Sequence, residues 1–232
     1  MTTEGRYVSP LSDHCTTAMT SGNTLKILKG SHSSFSLKGL TVIKPNHPLA
    51  SQLIANNNPA ISGSRIWPSS YLLVNYLSTQ TFSPEQHVLE LGCGWGLAST
   101  YVKKHFESKV TASDGDHQVL AFQNLLSDAN DVSVKFKHLS FVELAERDLS
   151  HINILIGSDI CYSPSITRDL EHLFHRFANQ GGSEIILADR GRPSFIGMIE
   201  RLARHLPLQV IDHNIELPAK IQGKILHIRL KT

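Results

Sequence analysis

From Trp67 onward the apolar positions of the chain alternate between two spacings. Short runs rich in aliphatic and β-branched residues, Val88-Leu-Glu-Leu91, Lys109-Val-Thr-Ala-Ser113, Val132-Ser-Val-Lys-Phe136, Ile152-Asn-Ile-Leu-Ile156 and Glu184-Ile-Ile-Leu-Ala188, read as five strands. They recur every roughly 20 to 30 residues, the size of a βαβ unit. Between them lie helical stripes: Leu97 and Tyr101 with Ala98 and Val102, then Val119, Phe122 and Leu126. A third helix begins near Pro164, where proline suits a first turn, and runs through Leu170, Leu173, Phe174 and Phe177 to a Gly181-Gly182 stop. This alternation predicts a mostly parallel sheet covered on both faces.

The pattern changes at both ends. Leu208 to Glu216 and Gly223 to Leu230 are two strand-like runs separated by a few residues around Pro218, which predicts an antiparallel hairpin. At the other end, residues 1–24 are rich in Ser, Thr and Gly and predict a loose arm. Leu25-Lys-Ile-Leu28 and Phe35 to Ile43 suggest a small hairpin or lid, and Pro45, Pro48 and Pro59 mark a connecting loop. The expected organisation is therefore an arm with a hairpin over 1–60 and one α/β domain over 61–232.

Composition adds exclusions. Of 232 residues, 41% are hydrophobic and 18% charged, which suits a globular domain and is too apolar for a disordered chain. A net charge of +2, with basic residues scattered along the chain, gives no nucleic-acid signature. Cys15, Cys93 and Cys161 supply neither a disulfide framework nor a zinc ligand set. His172 and His175 share a helical face without a third ligand, so no metal is expected. With no apolar leader and no run near the roughly 20 residues that span a bilayer, the expected location is cytoplasmic.

The candidate chemistry lies in Glu90-Leu-Gly-Cys-Gly-Trp-Gly96, a strand-to-helix turn. Gly92, Gly94 and Gly96 permit a tight turn and close approach of a ligand, and amides at a helix start favour an anionic group. Gly96-Leu-Ala-Ser99 lacks the Gly-Lys-Ser/Thr of a P-loop. The spacing G-x-G-x-G behind Glu90 also departs from the dinucleotide form G-x-G-x-x-G, which leaves NAD the weaker fit. It matches the methyltransferase form E/D-x-G-x-G-x-G, whose ligand is S-adenosylmethionine, with a carboxylate that suits the loop amides. Asp114 ends the next strand about 20 residues later, where an acid can bond both ribose hydroxyls, while Asp116 is available to cap the following helix.

Four segments over residues 60–200 together resemble the seven-stranded protein-lysine methyltransferases called methyltransferase family 16. They are Arg65-Ile-Trp-Pro-Ser-Ser70, Val88 to Gly96, Ala112-Ser-Asp-Gly-Asp116 and Ser158-Asp-Ile-Cys-Tyr162, the last resembling the family's D/E-x-x-Y/F signature. The resemblance implies a Rossmann-like seven-stranded sheet, mostly parallel with a C-terminal antiparallel hairpin and helices on both faces. It also implies transfer of a methyl group to a lysine side chain of a protein. Nicotinamide-methylase-like action on a small molecule and non-catalytic cofactor binding stay open as alternatives.

For the site, the resemblance implies Trp67, Glu90, Gly92, Gly94, Gly96, Asp114, Ser140 and Ser158 as cofactor contacts. Ser140 and Phe141 stand where the family has a Leu-Asp-Trp-like run against adenine. Asp159 is expected to orient the incoming amine and Tyr162 to enclose it. Arg190, shortly after the fifth strand, is a candidate for the substrate mouth. The expected partner is a protein, or a small molecule, with no nucleic acid or membrane.

Overall fold

The computed structural model describes residues 32–57, 59, 63–216 and 218–230. The expected arm over 1–24 and the run 25–28 lie outside these residues. In chain order the elements are β1 (Ser34–Leu37), β2 (Leu40–Ile43), α1 (Pro48–Asn56), α2 (Pro68–Leu77), β3 (His87–Leu91), α3 (Leu97–His105), β4 (Lys109–Asp114) and α4 (Leu120–Asp128). They continue with β5 (Lys135–His138), α5 (Phe141–Ala145), β6 (Ile154–Ser158), α6 (Pro164–Asn179), β7 (Glu184–Asp189), α7 (Pro193–Leu202), β8 (Leu208–Ile215) and β9 (Ile221–Arg229).

Seven strands form the main sheet in the order β5-β4-β3-β6-β7-β9-β8. The pairs from β5 across to β7 are parallel, while β9 runs antiparallel to both β7 and β8. The sheet is buried on both faces because its central strands carry apolar side chains at successive positions. Val88, Ile154, Ile156 and Ile186 point to one core, shared with residues of α2, α3 and α4. Leu89, Leu155, Ile185 and Leu187 point to the other, shared with α5, α6 and α7. The strand period of two thus assigns alternate residues to opposite layers. Order reverses at β3, whose neighbours β4 and β6 lead away on opposite sides, so a crevice opens beyond the carboxyl ends of these strands.

Three sequence expectations shift. The third parallel strand begins at Lys135 rather than Val132, because Asp131 adopts φ +57° and the Val132 amide donates back to the Ser127 carbonyl at 3.1 Å. Those residues still belong to the turn that ends α4. The proline-marked connection contains α1, with Pro48 in its first turn and His47 Nδ1 accepting from the Leu49 amide at 3.3 Å. Among the described residues a small hairpin spans Ser34 to Ile43, turning at Lys38 and Gly39 with φ of +47° and +82°. Positive φ at both turn residues matches the tight hairpin turns favoured by strand twist.

That hairpin packs against the domain through Asn130, which is 2% exposed. Its Oδ1 accepts from the Thr41 amide at 2.8 Å and from Lys104 Nζ at 3.1 Å, and its Nδ2 donates to the carbonyls of Thr41 and Leu126 at 2.9 and 2.8 Å. Asn130→Ala would strand both backbone groups of Thr41 in the interior and is expected to lower unfolding free energy by about 2 to 3 kcal/mol. Urea denaturation measures this; a loss below about 0.5 kcal/mol, the scale of a neutral surface change, would contradict the bracing role.

Candidate cofactor and methyl-acceptor site

The crevice holds a cavity of about 350 Å³, within the range of small-molecule sites. Its floor is the turn between β3 and α3. Gly92, Gly94 and Gly96 all have positive φ, at +57°, +51° and +68°. Gly94 has open space where a side chain would stand, whereas a Cβ on Gly92 would come within 2.7 Å of Ile160 and one on Gly96 within 2.7 Å of Gln123. Gly94 is therefore the bare surface of the loop, and its neighbours are glycine because the protein itself packs against them.

The loop is held from two sides. Asp114 Oδ2 accepts the Gly94 amide at 3.0 Å and Oδ1 accepts the Asp116 amide at 2.9 Å. Burial raises the Asp114 carboxyl above the ordinary carboxylate range, and the amides of Gly94 and Asp116 pull it back. Each oxygen has a further lone pair to offer. Behind the loop, Glu90 Oε2 accepts the Ser99 amide at 2.9 Å, serving one of the orphan amides at the start of α3. Trp95 is 2% exposed, stacks on Phe122 with ring centres 5.1 Å apart, and donates from Nε1 to the Gly63 carbonyl at 3.0 Å.

The expected residues divide by position. Trp67, Gly92, Gly94, Asp114, Ser140, Ser158, Asp159 and Tyr162 all line the cavity. Glu90 and Gly96 do not: Glu90 is buried beneath the loop and Gly96 caps α3. Ser140 is the N-cap of α5 in a capping box with Glu143, donating to its carboxylate at 2.7 Å, so its side chain has a structural partner. Ser158 Oγ lies 3.0 Å from Ser70 Oγ, joining the end of β6 to the first turn of α2. Asp116 caps the short 3₁₀ turn His117–Val119 by accepting from the Gln118 amide, which leaves Asp114 to the cavity.

Asp159 occupies the left-handed region at φ +57°, a conformation that aspartate tolerates better than most side chains. Its amide donates to the Ala188 carbonyl at 3.0 Å and its Oδ2 accepts the Ser69 amide at 3.0 Å. Those contacts fix the carboxylate between β6, β7 and α2. Burial raises its carboxyl above the ordinary range, offset by Ser69 and by the Arg192 guanidinium 3.2 Å from Oδ1. Tyr162 stands at the mouth, 44% exposed, beside the exposed Val142.

Sequence reasoning selected Arg190 for the mouth; the cavity is lined by Arg192, and Arg190 is exposed outside it. The two are separated by the turn after β7, where Gly191 has φ +88°. Arg65, Asp169 and Phe141 also line the cavity. The Arg65 guanidinium lies over the Trp67 ring, 4.2 Å from its centre. Phe141 was expected beside adenine and Arg65 opens one of the segments that carry the resemblance, whereas Asp169, on α6, gave no signal in the sequence. His172, on α6, lies 3.7 Å from Glu146, and the described residues contain no group of three or more metal-ligating side chains. No helix among them is long and apolar enough to cross a membrane.

A parallel sheet closed by an antiparallel hairpin, with a glycine turn after its central strand and an acid ending the next, defines the class I S-adenosylmethionine-dependent methyltransferase fold. The chain belongs to the lysine methyltransferases of methyltransferase family 16, whose match covers residues 49–201. It is 25% identical over 158 residues to the mouse electron transfer flavoprotein beta subunit lysine methyltransferase, covering 66% of this chain and 59% of that protein. It is 27% identical over 106 residues to the ribosomal protein L11 methyltransferase of Methylobacillus flagellatus, covering 46% of this chain and 36% of that one. The matched regions thus span less than two thirds of either relative. A solved human methyltransferase 10 domain containing protein shares the fold at a TM-score of 0.57, with 11% identity over 79% of this chain and 98% of that one.

The cofactor of this class is S-adenosylmethionine, and the residues present fit it. Gly94 offers a bare backbone at positive φ, Asp114 offers unused carboxylate lone pairs, and Phe141 and Val142 add apolar wall.

Glu90 gives this floor a pH signature. Burial is the main cause that raises its carboxyl from 4.5 to about 7, against the opposing pull of Ser99. Between those values the native state keeps a proton that the unfolded chain has released. Its contribution to stability is therefore full at low pH and falls as pH rises through this window. In ligand-free protein, thermal unfolding followed between about pH 5 and 8 should show a declining stability that Glu90→Gln flattens, by up to about 3 kcal/mol at the upper end. Parallel curves for the two proteins would show that Glu90 is ionised throughout.

Proposed function

We propose that this protein transfers the methyl group of S-adenosylmethionine to the side-chain amine of a protein lysine. The observation that carries this reading is the presence of the Asp159 carboxylate in the same cavity as Gly94 and Asp114. When bound, the cofactor supplies a methyl group on a positively charged sulfur that leaves as a neutral thioether. Gly92 and Gly94 would receive its amino-acid end against the loop backbone, and Asp114 would hold the ribose hydroxyls. Ser140, Phe141 and Gly115 would border the adenine, and Trp67 and Ser158 would lie beside the cofactor. Glu90 and Gly96 would act through the loop that they support.

At the acceptor end Asp159 would accept a hydrogen bond from the incoming amine and direct its lone pair inward. Tyr162 would present a ring face to the aliphatic chain and a hydroxyl to solvent. Because methyl transfer needs little covalent help, alignment of this kind supplies most of the acceleration. The nucleophile must be neutral, although a free lysine ionises near 10.4, so proton loss to water precedes or accompanies docking.

Two features support a macromolecular acceptor over a small one. Tyr162 and Val142 are 44% and 53% exposed at the mouth, where a closed small-molecule cavity would cover them. The mouse relative's name also specifies a protein lysine acceptor. Incubating the protein with radiolabelled S-adenosylmethionine and a host lysate, then separating macromolecules from small molecules, should place label on protein at lysine. Label only in the small-molecule fraction would favour a nicotinamide-methylase-like activity, and cofactor binding without any labelled product would favour a binding module. Within the enzyme reading, Asp159→Asn should keep S-adenosylhomocysteine affinity within about twofold while lowering kcat by at least about 100-fold. Undiminished turnover would remove Asp159 from the acceptor role.

A further inference from the structure

The two oxygens of Asp159 are held unequally. Oδ2 is committed to the Ser69 amide, while Oδ1 faces only the Arg192 guanidinium among the contacts described above, at 3.2 Å. Arg192, in turn, is anchored elsewhere. Its Nε and Nη2 both donate to Asp189 Oδ2, the former at 2.9 Å, and Asp189 Oδ1 accepts the amides of Gly191 and Arg192, each at 2.9 Å. The Asp189 side chain is 1% exposed and that of Arg192 31%. The cation thus has a buried attachment of two bonds to one oxygen on one side and a single lighter contact on the other. Two charge-assisted bonds outweigh that one contact.

We propose that Arg192 is a positioning residue that occupies Asp159 in place of the acceptor amine and yields that oxygen when the amine enters, falling back on Asp189. The proposal rests on the reading of Asp159 as the amine-binding group. With no substrate present, Arg192 and the Ser69 amide together oppose the burial that raises this carboxyl, whose side chain is only 10% exposed.

It also gives the site a preference between the two forms of a lysine. An ammonium that reaches Asp159 meets the Arg192 charge alongside it, and the repulsion offsets part of the attraction. A neutral amine donates to Oδ1 without that opposition and brings the lone pair that methyl transfer requires. The proton it has lost leaves as hydronium to bulk water through the mouth. Among the described residues, the other charged or titratable groups facing this cavity are Asp114 from the end of β4, Asp169 from α6, Tyr162 after β6 and Arg65 ahead of α2. These remain in place in each variant below, so the comparison isolates Arg192.

The test uses n-butylamine, a mimic of the lysine side chain, titrated at neutral pH into the full chain saturated with S-adenosylhomocysteine and followed by protein-observed NMR. Arg192→Gln should bind the amine about tenfold more tightly, because a competing charge is gone. Asp189→Asn should bind it at least about threefold more weakly, because Arg192, released from its anchor, turns fully onto Asp159. A purely structural role would move both variants in the same direction, and that result overturns the proposal. If Arg192→Gln does not fold, Asp189→Asn decides alone, with unchanged or tighter binding as the contradicting result. Asp159→Asn separates the levels of the argument: amine binding that ignores this change contradicts the acceptor reading itself, whereas binding that needs Asp159 but fails the paired comparison contradicts only the role of Arg192.

Discussion

The carboxylate of Asp114 closes the gap between two neighbouring strands at the place where each leaves the sheet. One of its oxygens takes the Gly94 amide, from the turn after β3, and the other takes the Asp116 amide, from its own strand end. The Cys93 amide reinforces this by donating to the Ser113 carbonyl at 2.9 Å, and Ser113 Oγ returns a bond to the Glu90 carbonyl at 2.8 Å. A loop with three left-handed glycines would otherwise have wide conformational freedom. Here one buried acid and its strand register fix the curvature that leaves Gly94 bare. Asp159 inherits its position from the same frame, because β6 pairs with β3 in parallel register and carries it just beyond its last residue.

Much of this was legible from residue order because the physics is local. Aliphatic runs buried on both faces leave few alternatives to a parallel strand, and a glycine turn between a strand and an amphipathic helix identifies itself. Asp114 could be separated from Asp116 because one acid sufficed to cap the following turn. What the sequence hid depends on packing direction. Glu90 lies on the Val88 face of β3, toward α2 to α4, so it serves the α3 amides from below instead of reaching the cavity, and a one-dimensional pattern carries no sign for that choice. Arg190 and Arg192 are two residues apart across a glycine turn, and only the turn's left-handed geometry decides which guanidinium faces Asp159. The displaced start of β5 has the same origin, since a left-handed Asp131 delays the strand without any change in apolar pattern.

The two ends of the cavity handle burial of charge in different ways. At the cofactor end, Asp114 is compensated by backbone amides, fixed dipoles that do not compete for its remaining lone pairs. At the mouth, Asp159 is compensated by one amide and by the Arg192 guanidinium, which has its own anchor on Asp189. Family membership supplies the type of chemistry; in the proposed reading, the first arrangement would hold the cofactor in one pose and the second would admit and release the acceptor.

The central claim is that the Gly94–Asp114 floor binds S-adenosylmethionine, and calorimetric titration with S-adenosylhomocysteine tests it most directly. Wild-type protein should bind one equivalent, and Asp114→Asn, which keeps an acceptor for the Gly94 amide, should bind at least about thirtyfold more weakly because the ribose loses a charged partner. Equal affinity in the two proteins, or no binding by the wild type, would contradict the account.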